Sequence, residues 1–224
     1  MTNSLHDRRS AGRQLAEKLE HYANRKGVIV LGLPRGGVPV AHEIAQKLHA
    51  PLDALVVRKL GLPGYSELAM GAIASGGVEV VDPDMVEQFG LSQAAITRVV
   101  QAERKELQRR ELAYRGSTAA PEVKGRTVIL VDDGVATGST MRAGIEAVKR
   151  LGAARIVVAI GVAPLSTKLL LEGDADEVVC LMAPREFAAV SVFYDEFPQL
   201  TDDDVTELLD PFQRRLHAAA TQEK

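Results

Sequence analysis

The sequence predicts an α/β fold in which a mostly parallel sheet of about five strands is covered by helices on both faces. Short, continuous apolar runs rich in Val, Ile and Leu alternate along the chain with segments whose apolar residues recur at helical spacing. Composition agrees, because 46% of the 224 residues are hydrophobic and 25% are charged, as in an ordinary globular domain. Ligands of such sheets bind beyond the carboxyl ends of the strands, so the loops there are the first candidates for a site.

The predicted elements follow one another in a regular order. Ala11, Leu15 and Leu19 fall near helical spacing and predict an amphipathic helix at about 7–25, which ends near Gly27. Five apolar runs predict strands at residues 28–31, 52–57, 127–131, 156–162 and 177–181. Helical spacing follows at about 40–48, 141–151 and 165–172. Because strands and helices alternate, we expect the strands to pair in parallel.

Two regions depart from this alternation. Residues 59–83 are rich in glycine and predict a mobile loop that leads into a hairpin, with apolar pieces at 70–74 and 78–81. Residues 92–115 predict a long charged helix, and we expect 59–115 and the N-terminal helix to form a small hood or flap. Residues 1–224 are otherwise expected to be a single domain, with an acidic segment at 195–210 that contains seven acidic and no basic residues.

Charge, cysteine content and hydropathy argue against several classes of protein. The formal net charge of −3 gives no basic field for nucleic acid or an anionic membrane, so neither is expected as a partner. The one cysteine, Cys180, cannot form an intramolecular disulfide, and the five histidines show no zinc-ligand spacing. The sequence has no apolar run of about 18 residues and carries charges where a signal peptide would be apolar, so we expect a cytoplasmic protein.

The segment at 128–140, VILVDDGVATGST, carries the clearest chemical signal. An apolar strand ends in two carboxylates, Asp132 and Asp133, and a loop with two glycines and three hydroxyls leads into a helix. Backbone N–H groups at such a helix start bind anions, although the segment lacks the lysine and glycine spacing of a Walker loop. Because carboxylates repel phosphate, the acid pair needs other partners, and ribose hydroxyls or Mg²⁺ would suit it.

This segment resembles the phosphoribosyl pyrophosphate (PRPP) binding motif of type I phosphoribosyltransferases. The resemblance implies the type I phosphoribosyltransferase fold for the predicted α/β sheet. It also implies that Asp132 and Asp133 hold the ribose 2′- and 3′-hydroxyls and bind Mg²⁺, directly or through water. The 5′-phosphate would be wrapped by the loop that follows: Gly134, Val135, Ala136, Thr137, Gly138, Ser139 and Thr140. A strand-end acid that caps a Ser/Thr-rich turn is the structural alternative.

Two further segments are similar to the same family. The run at 31–37, LGLPRGG, looks like its pyrophosphate loop, in which Arg35 and the amides of Gly36 and Gly37 grip the leaving group after a cis peptide. Arg58 and Lys59 resemble the basic pair of the adenine and orotate members, which contacts pyrophosphate beneath a closing loop. The resemblance therefore implies catalytic roles for these three basic residues, together with the acid pair. A glycine-rich turn that packs a helix on its strand would also explain the first run.

The acceptor is the part of the reaction on which the sequence is least informative. Phe187, Phe193 and Tyr194 follow the last predicted core strand, where the family places residues that contact the acceptor, and such a ring could stack on a planar base. Core packing is at least as good an explanation for each ring. Glu67 could orient Mg²⁺ or a base proton, and an exposed loop residue is its alternative. Residues 6 to about 210 resemble a subfamily whose acceptor is unassigned.

These resemblances imply a Mg²⁺-dependent enzyme that transfers the 5-phosphoribosyl group of PRPP to a nitrogenous, base-like small molecule with release of pyrophosphate. A non-catalytic sensor of PRPP or a nucleotide on the same fold is the alternative, because a fold alone does not fix function. The basic residues that would contact pyrophosphate favour the enzyme. A receiver-like phosphoacceptor domain would share the strand-end acids but would not explain the ATGST run. The sequence is compatible with a homodimer and does not determine the oligomeric state.

Overall fold

The structure, a computed structural model, describes residues 4–116 and 121–222 and contains two β-sheets. Its strands are β1 (Val28–Gly32), β2 (Leu52–Ala54), β3 (Val57–Leu62), β4 (Tyr65–Ala74), β5 (Val78–Val81), β6 (Thr127–Gly134), β7 (Arg155–Val162) and β8 (Glu177–Met182). Its helices are α1 (Arg8–Lys18), α2 (Gly37–Leu48), α3 (Pro83–Gln88), α4 (Gln93–Arg115), α5 (Ser139–Arg150), α6 (Leu165–Asp174) and α7 (Asp202–Gln222). None of these helices, within the described ranges, has the length and apolar character needed to cross a membrane.

The larger sheet is parallel, has the strand order β2-β1-β6-β7-β8 and is covered on both faces. Because side chains alternate along a strand, Ile129 and Val131 of β6 face α1, α2 and α7, whereas Val128 and Leu130 face α5 and α6. All four are fully buried, which explains the continuous apolar runs in the sequence. This arrangement confirms the predicted α/β fold with a five-stranded parallel sheet.

The smaller sheet is antiparallel, with the order β3-β4-β5, and is inserted between β2 and β6 together with α3 and α4. It lies between two helices, because Leu60 and Leu62 of β3 pack on the side of α4 while Val57 packs with Ala147 of α5. The sequence predicts a mobile loop from residue 59, whereas the structure has two paired strands there. Glycines in both strands and the charged start of β3 interrupt the apolar alternation that strand prediction requires.

Several boundaries differ from the sequence prediction for local reasons. The predicted strand at 52–57 divides, because β2 ends at Ala54 and the chain enters the smaller sheet at Val57. The N-terminal helix ends at Lys18, and it packs on α2, β7 and β8 rather than joining residues 59–115 in a flap. The last helix, α7, is not predicted at all, because five acidic residues surround the apolar positions Val205 and Leu209 that pack into the core.

Candidate functional site

Two loops meet at the carboxyl edge of the larger sheet. β1 and β6 are parallel neighbours with Gly32 opposite Val131, so the loops that follow them leave the sheet side by side. A methyl group on Gly36 would overlap the Asp133 carboxylate, and one on Gly37 would overlap the Val131 carbonyl oxygen. The loops therefore approach closely because both positions are glycine. This contact brings the predicted pyrophosphate loop against the predicted ribose acids, and the Pro34–Arg35 peptide is cis, as the resemblance implies.

Asp133 is buried, and two other segments of the chain bind it. Its Oδ2 accepts a hydrogen bond of 2.6 Å from Nε of Arg8, at the first residue of α1. Its backbone carbonyl accepts a hydrogen bond of 2.6 Å from the hydroxyl of Tyr194. With Gly36 against the carboxylate, Asp133 is fixed by contacts from the N-terminal helix, the first loop and the segment after β8.

Asp132 lies in a different environment and is half-buried. Its Oδ1 accepts a hydrogen bond of 2.9 Å from the backbone N–H of Asp133, which orients the carboxylate at the strand end. The pKa of the Asp132 carboxyl is raised well above its ordinary value, first by loss of solvation and second by the negative charge of Asp133. Such a carboxylate gains from a cation or hydroxyl donors placed beside it, and Mg²⁺ or ribose would supply these.

The loop after the acid pair has the geometry of an anion-binding site. Gly138 adopts φ +83°, a left-handed conformation that glycine allows, and α5 begins at the next residue. The Ala136 carbonyl accepts a hydrogen bond of 2.7 Å from Thr167, which holds the loop against α6. The exposed loop residues are Ala136, Thr137, Ser139 and Thr140. The hydroxyls of Thr137 and Ser139 lie 3.1 Å apart, and the Ser139 N–H donates to Thr137 Oγ1 at 3.4 Å. An anion bound at the positive end of the α5 dipole would replace these contacts within the loop.

The two basic residues of β3 lie on opposite faces of the smaller sheet. Lys59 lines a cleft of about 260 Å³ together with Ser139 and Thr140 at the start of α5. Arg58 faces α4, where its Nη2 lies 2.6 Å from Glu103 Oε2. Because neighbouring side chains on a strand point in opposite directions, the structure brings Lys59, and not Arg58, beside the predicted phosphate loop. The side chain of Glu67, the other candidate in this region, lies outside the described residues.

Arg35 is exposed and lies near the N-terminus of α7. Its Nη1 is 4.0 Å from Asp202 Oδ1. Asp202 also accepts hydrogen bonds from the Tyr114 hydroxyl at 2.6 Å and from Arg109 at 3.0 Å, both on α4. The Tyr114 hydrogen bond is the main reason why the pKa of the Asp202 carboxyl is lowered. The acidic segment therefore places a charged carboxylate beside the predicted pyrophosphate-binding arginine.

The three aromatic candidates for the acceptor site pack mainly against other protein groups. Tyr194 is buried, and its hydroxyl donates a hydrogen bond to the backbone carbonyl of Asp133. Phe187 and Phe193 stack on each other with ring centroids 5.4 Å apart, in a hydrophobic cluster that contains Leu5 and Val162. Most of the surface of these rings is therefore packed against the protein core, which is the structural alternative given for them from the sequence.

Two residues of this region are not candidates from the sequence. Arg8 contacts Asp133, and Asp202 faces Arg35, although both lie far from those partners along the chain. Arg8 belongs to the predicted N-terminal helix and Asp202 to the acidic segment at 195–210, so each lies in a segment that the sequence marks for other reasons. Their partners could not be deduced, because ion pairs between distant segments leave no spacing pattern in the sequence.

Comparison with known proteins decides the family. The model of the phosphoribosyl transferase domain matches residues 1–196 of the chain. The chain belongs to the phosphoribosyl transferase domain family. Both loops of the candidate site, after β1 and after β6, lie within the matched residues.

Individual relatives of this phosphoribosyl transferase domain agree. Two provisionally named phosphoribosyl transferases from two strains of Mycobacterium tuberculosis are each 46% identical to it over 208 residues. These matches cover 93% of the chain and 47% of each relative, so the chain spans about half the length of the curated relatives it matches. A crystal structure of a Thermus thermophilus protein is 42% identical, with a TM-score of 0.82 over 92% of this chain and 97% of that one.

Proposed function

We propose that the chain transfers the 5-phosphoribosyl group of PRPP to a nitrogenous small molecule and releases pyrophosphate. The observation that carries the proposal is the contact between the two loops, in which Gly36 lies against Asp133 at the carboxyl ends of neighbouring strands. A ligand with a pyrophosphate, a ribose and a 5′-phosphate needs a site for each of these groups. The first loop, the acid pair and the second loop would provide those sites in adjacent positions.

In the proposed reaction, the bond from C1′ to the pyrophosphate oxygen breaks and a bond from C1′ to nitrogen forms with inversion. Arg35 and the backbone N–H of Gly36 would stabilise the negative charge that develops on pyrophosphate, whereas the Gly37 N–H, also expected there from the resemblance, already donates to the Leu33 carbonyl at 3.0 Å. The loop from Gly134 to Thr140 would hold the 5′-phosphate, with Lys59 contributing charge from β3. Arg58 would have to leave Glu103 before it could take the pyrophosphate-binding role that the resemblance implies.

The acid pair would bind the ribose hydroxyls, and Mg²⁺ fits beside Asp132. That carboxylate is half-buried and is destabilised in its charged form by burial and by Asp133, so a nearby divalent cation would stabilise it. Asp133 already has Arg8 as a cationic partner, which makes it the less suitable of the two as a metal ligand. When bound, Mg²⁺ would neutralise pyrophosphate charge, with its remaining ligands from PRPP and water.

We propose the acceptor as a chemical class, namely nitrogen nucleophiles. A nitrogen nucleophile would attack C1′ from the face opposite pyrophosphate, near the segment after β8. Because Phe187 and Phe193 stack on each other and Tyr194 is buried, these rings give little support to a planar acceptor in particular. The acceptor panel should therefore include aliphatic and aromatic amines beside the nucleobases.

The first prediction concerns Asp132→Asn. With PRPP, Mg²⁺ and a panel of nitrogenous acceptors, we expect the wild-type protein to release pyrophosphate and the variant to lose at least about 100-fold in kcat/KM, because the lost charge would bind Mg²⁺ and ribose. Asp84→Asn, at an exposed position on α3, is the matched control and should retain full activity. If the wild-type protein is active and Asp132→Asn is equally active, the proposal is contradicted.

A non-catalytic sensor of PRPP or a nucleotide is the second candidate. It is favoured by one observation, namely that Arg58 and Asp133 are both engaged in ion pairs within the protein. The same assay separates the two functions when PRPP binding is measured by calorimetry in parallel. Tight binding of PRPP without pyrophosphate release for any acceptor would favour the sensor.

A further inference from the structure

Arg8 makes an unusual set of contacts for a residue at the start of a surface helix. Its side chain is 9% exposed, and its partner Asp133 is 10% exposed, so both charges are largely removed from water. Nε donates to Asp133 Oδ2 at 2.6 Å, and Nη1 donates to the Pro198 carbonyl at 2.8 Å. The guanidinium also lies over the Phe197 ring, 3.7 Å from its centroid.

These contacts fix the guanidinium from three sides. The planar fork of arginine directs its donors along defined lines, and the aromatic face below restricts rotation of the group. A single buried carboxylate without such a partner would be strongly destabilised. The geometry of the Asp133 carboxylate is therefore set by Arg8 together with Gly36, and not by Asp133 alone.

We infer that Arg8 is a positioning residue for PRPP binding, which acts by holding the Asp133 carboxylate in the orientation that accepts a ribose hydroxyl. Arg8 occupies Oδ2, so Oδ1 is the oxygen that would accept from ribose. The inference rests on the proposed function, and it adds a residue of the N-terminal helix to the site. It also links the segment at 193–198 to the ribose acid, because Pro198 and Phe197 hold the same guanidinium.

The test uses three variants of the full chain. Arg8→Gln removes the charge and should raise both the KM and the calorimetric Kd for PRPP by about tenfold, with a smaller change in the acceptor KM. Arg8→Lys restores the charge and should lower the PRPP KM back towards the wild-type value. Arg9→Gln makes the same charge change at the neighbouring exposed position and should bind PRPP like the wild type.

The split between KM and kcat separates positioning from a general loss of structure. A protein that is only partly folded would lose kcat in proportion to its inactive fraction and would keep its KM for PRPP. Arg8→Gln with an unchanged PRPP KM and Kd would overturn the inference, and so would an Arg8→Lys variant as weak as Arg8→Gln. If Arg8→Gln does not fold, Arg8→Lys decides, because lysine keeps the charge but lacks the planar fork of arginine. A PRPP Kd severalfold weaker than that of the wild type would support the inference, and a Kd equal to that of the wild type would overturn it.

A double-mutant comparison tests whether Arg8 acts through Asp133. On an Asp133→Asn background, Arg8→Gln should change the PRPP Kd less than twofold, because the carboxylate that it orients is already absent. If Arg8→Gln weakens PRPP binding by about tenfold on this background as well, the inference is overturned. Failure of the proposed function has a different signature, in which the wild-type protein releases no pyrophosphate with any acceptor, whether or not it binds PRPP.

Discussion

Tyr194 connects the segment after β8 to the backbone of the acid pair. Its hydroxyl donates to the Asp133 carbonyl at 2.6 Å, and its ring packs at a tilt on Phe197 with centroids 5.0 Å apart. A methyl group on Gly161 would overlap the hydroxyl, so β7 leaves room for it. Burial, and then the charge of Asp133, raise the pKa of Tyr194 well above its ordinary value, so the group remains a donor at neutral pH.

Removal of this hydroxyl by Tyr194→Phe should lower the free energy of unfolding by about 1–2 kcal/mol, because a buried carbonyl is left without its donor. Urea unfolding followed by circular dichroism measures the change. Tyr65→Phe removes a hydroxyl from a side chain that is 63% exposed and should change stability by less than about 0.5 kcal/mol. If the two substitutions change the free energy of unfolding equally, the Tyr194 hydrogen bond does not contribute to stability.

At the scale of elements, the approach of the loop after β1 to the loop after β6 depends on the absence of a side chain at Gly36, immediately before α2. Gly36 has φ −63° and ψ −33°, a conformation open to every residue. Its importance is therefore steric, since the Asp133 carboxylate occupies the space that a Cβ atom would need.

Gly36→Ala should weaken PRPP binding by at least about tenfold, because the loop or the carboxylate must move to admit the methyl group. Calorimetric titration with PRPP measures the effect. Gly173→Ala is the matched control, since a Cβ atom there meets nothing within 4 Å on α6. PRPP binding by Gly36→Ala at wild-type strength would mean that the two loops do not act as one site.

Across the whole molecule, Asp202 of α7 joins the inserted helix α4 to the core. Its carboxylate binds Arg109 and Tyr114, and the lowered pKa shows that the folded state favours the charged form. Such a group stabilises the fold above the pKa of an unfolded aspartate, about 4. That contribution is lost as the pH falls through the lower pKa of the folded state.

Asp202→Asn keeps an oxygen for Tyr114 but removes the charge. We expect it to lower the free energy of unfolding at about pH 7 by at most about 1 kcal/mol, because Arg109 is 52% exposed and the pair is screened by water. The difference from the wild type should shrink as the pH falls below about 4 and disappear once the pH is below the lowered pKa of Asp202 in the folded state. Urea unfolding across this range tests the expectation, with exposed Asp203→Asn as control; a difference that grows on acidification would contradict it.

The core could be predicted from the sequence because its signals are local. Residues 128–131 and 156–162 are buried on both faces and therefore appear as uninterrupted apolar runs. The same holds for the acid pair and the loop before α5, which lie within one short segment. β3 could not be predicted, since Arg58 and Lys59 fill strand positions that face a helix and a cleft. Arg8 was missed because its partner lies 125 residues away.

The hydrogen bonds of Arg8 also determine when the site can be completed during synthesis. The ribosome makes Arg8 before both of its partners, because Asp133 follows 125 residues later and the Pro198 carbonyl follows 190 residues after Arg8. Contacts so distant in sequence form slowly, because a long loop must close before they stabilise anything. A nascent chain can therefore fold β1 and α2 early, whereas the surroundings of Asp133 become native only after residue 198 has left the exit tunnel.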